Sequence, residues 1–163
     1  MHDTIRDNLA VLLERRFPLP THSVVKEYVL GVDPETQREV RADIVVMQGD
    51  RYVHIIDVSI VNPTASCYLT YHQQSNLVTE SAARHREQAK RRYHSRVVGD
   101  PNTMIPFVLE ITGRFGPTAK EYMKEWCGVN NRLRSEFLSE TSYVLAKGVG
   151  RIMRNSEKQL VSG

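Results

Sequence analysis

The chain has 163 residues, 40% hydrophobic and 25% charged, with a formal net charge of +3 and a pI near 8.9. That length holds one domain with a sizeable core, and the composition is that of a globular chain rather than a disordered one. No apolar run reaches the roughly 18 residues that a membrane span needs. Acids and bases interrupt the opening "MHDTIRDNLAVLLERR", which excludes a secretory signal. Cys67 and Cys127 provide neither a metal knuckle nor a disulfide framework, so a reducing intracellular compartment is expected.

Residues 4–16 predict a first helix. Ile5, Leu9, Leu12 and Leu13 recur at helical spacing, and Thr4 with Asp7 has the form of a capping box. "FPLP" ends it, because proline cannot continue the ladder. "SVVKEYVL" and "VRADIVVM" predict two strands joined by the turn-rich "GVDPETQRE", and "QGD" turns into a third, "RYVHIIDVSIV". These three are expected as an antiparallel meander. After the break "NPTAS", residues 79–94 predict a second helix. "MIPFVLEIT" then gives a fourth strand, expected to pair parallel because it returns after a helical crossover. "GRFGPT" turns into a helix at "TAKEYMKEWCG", with Pro117 near its start. Leu133, Phe137, Leu138, Val144, Leu145 and Ile152 mark an amphipathic helix over 132–154. The order αβββαβαα is an α/β or α+β single domain over 1–163 with a small mixed sheet, its core spanning 2–127.

The basic residues cluster in "ARHREQAKRRYHSR", residues 83–96, where Glu87 is the lone acid. Such a stripe suits a polyanion, nucleic acid first. It is equally the solvated face of a helix carrying Glu80–Arg84 and Glu87–Arg91 pairs. Both readings stand at this point. His2, His22, His54, His72, His85 and His94 form no ligand pair on a recognisable scaffold and read as packing or surface residues, and Trp126 and Cys127 read as packing residues.

The acids in the strands are more informative. Alternation places Val53, Ile55, Asp57 and Ser59 on one face of the third strand, and His54, Ile56, Val58 and Ile60 on the other. An ionised carboxylate among those apolar neighbours is costly unless a cation or hydrogen bonds compensate it. Asp43, opening the preceding strand in "RADIVV", would approach Asp57 through the short hairpin. Two converging carboxylates repel unless a hard cation shares them, and Mg²⁺ suits such a pair. The alternative is that each aspartate is a hydrogen-bonded residue at the end of a sheet.

"RADIVV", "IIDVSIVNPTA", "REQAKRRY" and "PFVLEITGRFGPTA", in this order, resemble the restriction-like endonuclease domain of non-LTR retrotransposons, a branch of the PD-(D/E)XK superfamily. "HDTIRDNL" is similar to that family's leading helix, and the resemblance covers most of residues 2–155. It implies a restriction-endonuclease-like core that nicks target DNA to prime reverse transcription. It further implies Mg²⁺ or Mn²⁺ as cofactor, held by Asp43, Asp57 and the Val58 carbonyl. The zinc knuckle that precedes the domain in the family is absent, so the chain reads as a nuclease domain cut from a polyprotein that also carries reverse transcriptase, or as a stand-alone relative.

Two positions depart from the superfamily pattern. Ala42 replaces the proline of the "PD" motif, and Ser59 stands where the superfamily places a lysine. In the retrotransposon branch the lysine comes from the following helix, which implies Lys90 here as the catalytic cation. Glu110, Glu27 and Glu14 are candidates for a further acid. Arg84, Arg86, Arg91, Arg92, Tyr93 and Arg114 are candidates to grip duplex DNA, target or branched. The alternatives within reach of the same residues are a Holliday-junction resolvase-like nuclease acting as a homodimer and a non-catalytic DNA-binding domain. The expected location is nuclear, with no membrane association.

Overall fold

The computed structural model describes residues 1–69, 80–100, 102–127 and 131–161. Helix α1 (His2–Arg16) leads into strands β1 (Ser23–Val32), β2 (Glu39–Gln48) and β3 (Arg51–Val61). A single turn α2 (Ser66–Leu69), helix α3 (Ser81–Val98), strand β4 (Met104–Glu110) and helices α4 (Pro117–Cys127) and α5 (Asn131–Val161) follow. The four strands form one sheet in the order β1-β2-β3-β4. β1, β2 and β3 are antiparallel neighbours, while β4 lies parallel to β3 with Pro106 opposite Asp57. The meander and the crossover are therefore those the sequence predicts, and the fold is a mixed α/β arrangement with helices on both faces of the sheet.

Several details differ from expectation. The turn α2 adds an element that starts at Ser66, the last residue of the predicted break. α1 starts at His2 with Met1 as its cap and no side-chain capping bond, so Thr4 and Asp7 form no capping box; Asp7 pairs with Lys26 at 3.0 Å instead. α3 begins two residues late and runs on to Val98, where Gly99 at φ +82 lets the chain leave the helix. α5 extends to Val161, past the apolar stripe that was visible only to residue 152. Asp43 does not open β2 but sits within it, since Val40 and Ala42 before it are already buried strand residues. His72 and the side chain of Cys127 lie outside the described residues.

The two faces of the sheet bury different partners. Ile44, Val46, Ile56, Val58, Phe107 and Leu109 pack under α1, α4 and α5 through residues such as Leu9, Tyr122, Phe137 and Leu145. The opposite face carries Val45, Ile55, Met104 and Val108, covered at its two ends by Val98 and by Ala82 and Ala83 of α3. Between those apolar ends, the middle of α3 meets the sheet through charged side chains. Among the described residues no helix is long and apolar enough to cross a membrane.

Candidate active site

The βαβ crossover makes α3 run back along β3, so residues four apart on the helix meet residues two apart on the strand. Arg86, Lys90 and His94 project from one stripe of α3. Arg86 Nε donates to Ser59 Oγ at 3.3 Å. Lys90 Nζ lies 2.7 Å from Asp57 Oδ1 and donates to Oδ2 at 2.8 Å, and His94 Nε2 lies 2.5 Å from the same Oδ2. Asp57 and His94 are buried. Burial works against ionisation of Asp57, but the His94 bond and the Lys90 charge outweigh it and hold the carboxyl below its ordinary range. The buried carboxylate of β3 is thus compensated by two nitrogens from one helix. His94, which reads from the sequence as a packing or surface residue, is buried and bonded to Asp57; its place four residues after Lys90 on the inward stripe was the available signal for that contact.

Asp43 is tied elsewhere. The β2/β3 ladder ends at the pair Ile44–Ile56, so Asp43 and Asp57 are the next residues along the two strands as they part. Into that opening Asp43 Oδ2 accepts the Val58 amide at 2.7 Å. His2, the first residue of α1, completes a second cluster. Its Nε2 is 3.3 Å from Asp43 Oδ2 and 3.1 Å from the Val58 carbonyl oxygen, while its Nδ1 is 3.1 Å from Asp3 Oδ1. The Asp43 bond leads the effects that raise the His2 pKa to about 9. His2 is the second functional candidate that sequence reading passed over, because its partners lie 41 and 56 residues away.

Asp43 Oδ2 and the Val58 carbonyl converge on His2 Nε2 and are the oxygens here that could hold a cation, with Asp57 the residue before Val58 on β3. Among the described residues no three His, Cys, Asp or Glu side chains form a metal-sized group on their own, so a site here would draw on fewer of them, completed by backbone oxygen or water.

The further acids do not join it. Glu110 is buried on β4, but it lies in register with Val61, four residues beyond Asp57, or about 13 Å along a strand. Glu27 is half-exposed and pairs with Arg6. Glu14 is exposed twelve residues along α1 from His2, about 18 Å on the helix axis.

Of the basic candidates, Arg86 and Arg91 are half-buried and bonded within the protein. Arg91 donates to the Met104 carbonyl at 3.0 Å and to Thr118 Oγ1 at 3.3 Å. Arg84, Arg92, Tyr93 and Arg114 are exposed. Trp126 packs, as expected, in an aromatic cluster with Phe17, Tyr122 and His54. Burial in that cluster pushes the His54 pKa down to about 4.

Compared with protein-family models and with curated proteins, the chain matches none.

Proposed function

We propose that the chain is a metal-dependent DNA endonuclease with a PD-(D/E)XK-type core, of the kind that nicks target DNA for retrotransposon integration. The observation that carries this reading is the reach of Lys90 from α3 to Asp57 on β3, at 2.7 Å, where the strand itself offers Ser59 in place of a lysine. A lysine supplied by the helix is what the resemblance to the retrotransposon domains implies. Asp43, Asp57 and the Val58 carbonyl are the residues that would hold Mg²⁺ or Mn²⁺. A bound divalent ion lowers the pKa of its water and polarises the phosphoryl oxygen.

The chain's own groups supply the rest. Asp57 fixes the Lys90 ammonium at the end of the β2/β3 ladder, and His94 fixes Asp57 from behind. The ammonium is then a preorganised positive charge for the phosphoryl oxygens as negative charge develops on them, and it needs no reorganisation at the moment of reaction. Exposed Arg84 and Arg92 would bind the phosphate backbone without reading bases. The implied nuclear setting and the partner domains of a polyprotein belong to the same reading.

A second reading has an observation of its own. Asp57 is compensated by Lys90 and His94, which is what a purely structural ion cluster in a DNA-binding domain requires. Nicking of a supercoiled plasmid with Mg²⁺, Mn²⁺ or EDTA separates the two. The nuclease predicts metal-dependent nicking, reduced at least about 100-fold in Asp43→Ala and in Lys90→Ala protein that remains folded by circular dichroism. Metal-independent DNA binding with no cleavage of linear, supercoiled or four-way-junction substrates would leave the binding domain standing.

A further inference from the structure

We infer that His2 is a further protein ligand of the cation site, so that an imidazole joins the Asp43 carboxylate and the Val58 carbonyl and shifts the site towards first-row divalent ions over Mg²⁺. The inference rests on the cation reading of Asp43 and Val58 proposed above, and adds a residue to it. Three features of the geometry support it.

The first is convergence. One nitrogen, His2 Nε2, faces two oxygens from different strands, Asp43 Oδ2 at 3.3 Å and the Val58 carbonyl at 3.1 Å. Two ligand atoms each about 2.1 Å from one ion and at right angles are about 3.0 Å apart. The hydrogen bonds of His2 Nε2 to these two oxygens span separations that neighbouring donors around a single small cation also have, and an ion that takes the place of the Nε2 proton, released to solvent, would serve all three atoms together.

The second is orientation. The other ring nitrogen, Nδ1, lies 3.1 Å from Asp3 Oδ1. A carboxylate on the far nitrogen is the arrangement that fixes the ring of a metal-bound histidine and leaves the near nitrogen to the metal. Asp3 follows His2 in the first turn of α1, so helix formation sets both groups at once. The third is access. The His2 side chain is 41% exposed, against 16% for Asp43, so an ion can enter from the His2 side without opening the sheet.

A nitrogen donor changes the choice of ion. Mg²⁺ takes oxygen donors and dehydrates reluctantly, whereas imidazole suits the first-row divalent metals. Mn²⁺ is the probe of choice because its electron spin reports directly bound ¹⁴N. The full chain would be titrated with Mn²⁺ by calorimetry and its complex recorded by pulsed EPR, in wild type, His2→Ala and Asp43→Asn, with Mg²⁺ as competitor. The expected result is a ¹⁴N coupling of a bound imidazole in wild type that is absent in His2→Ala. His2→Ala should also bind Mn²⁺ at least about tenfold more weakly and lose most of the preference over Mg²⁺. Mn²⁺ bound without ¹⁴N coupling, but lost in Asp43→Asn, would overturn the His2 assignment and leave the cation site in place. No Mn²⁺ binding, or binding indifferent to Asp43→Asn, would overturn both.

Discussion

At the scale of single residues, the chemistry turns on how β3 tolerates Asp57. A carboxylate with 5% of its side chain exposed would be expelled or protonated without partners. Lys90 and His94 allow it to stay charged. Removing one partner of a buried ion pair leaves an uncompensated charge, so Lys90→Met should lower unfolding stability by about 3 kcal/mol at pH 7 in urea melts. The pH dependence has a definite sign. The folded-state pKa of Asp57 is depressed, so the stability it contributes is present above the ordinary carboxylate range and is lost as pH falls through the folded value. The deficit of Lys90→Met should therefore be largest near neutrality and narrow in acid, where a protonated Asp57 has no charge left to compensate. A deficit that stays constant from pH 7 to pH 3 would mean that Lys90 contributes by packing its stem and not by charge. Any loss of activity in this variant has to be read against that stability cost.

At the scale of elements, α3 is placed by a second buried acid. Glu87 is buried and accepts the Thr118 amide at 3.0 Å and the Thr118 hydroxyl at 2.9 Å, so it caps the start of α4 from another helix. Gly116 makes the docking possible, because a Cβ there would run into the Glu87 carboxylate. Gly116→Ala should cost about 1–3 kcal/mol, and the cost should shrink in a Glu87→Ala background because the two changes share one space. Additive penalties in a double-mutant cycle of thermal melts would separate Gly116 from Glu87. Sequence reading identified this glycine only as part of a turn, since the clash is with a residue 29 positions earlier. The same limit runs through the site. Strand alternation places Asp57 and Ser59 on one face among apolar neighbours, and the four-residue spacing of Lys90 and His94 is open to the same kind of reading, because both patterns are local. The end of the β2/β3 ladder at Ile44–Ile56, the turning of Asp43 to the Val58 amide and the arrival of His2 depend on pairing between distant segments, which no local period encodes.

At the scale of the whole molecule, the basic helix is less of a polyanion surface than its composition suggests. α3 carries Arg84, Arg86, Lys90, Arg91, Arg92 and Arg96. Arg86, Lys90 and Arg91 are bonded to Ser59, Asp57, Met104 and Thr118, and Arg96 is bound to the turn between β1 and β2 through Asp33 at 3.3 Å and Glu35 at 2.9 Å. Exposed Arg84, held loosely by Glu80 at 3.4 Å, and exposed Arg92 are left facing outward. Counterion release makes the logarithm of a DNA-binding constant fall with the logarithm of salt by about 0.9 for each phosphate neutralised. Six contacts from α3 would give a slope of about −5, and two would give about −2. On the DNA-binding reading, the slope measured by fluorescence anisotropy on a short duplex should therefore drop by about 2 in Arg84→Gln/Arg92→Gln. Arg86→Gln and Arg91→Gln should leave the slope nearly unchanged while lowering the melting temperature, because their partners are inside the protein. A steep slope that survives Arg84→Gln/Arg92→Gln would mean that the phosphates lie on another face of the molecule, with α3 serving the sheet and its buried acids alone.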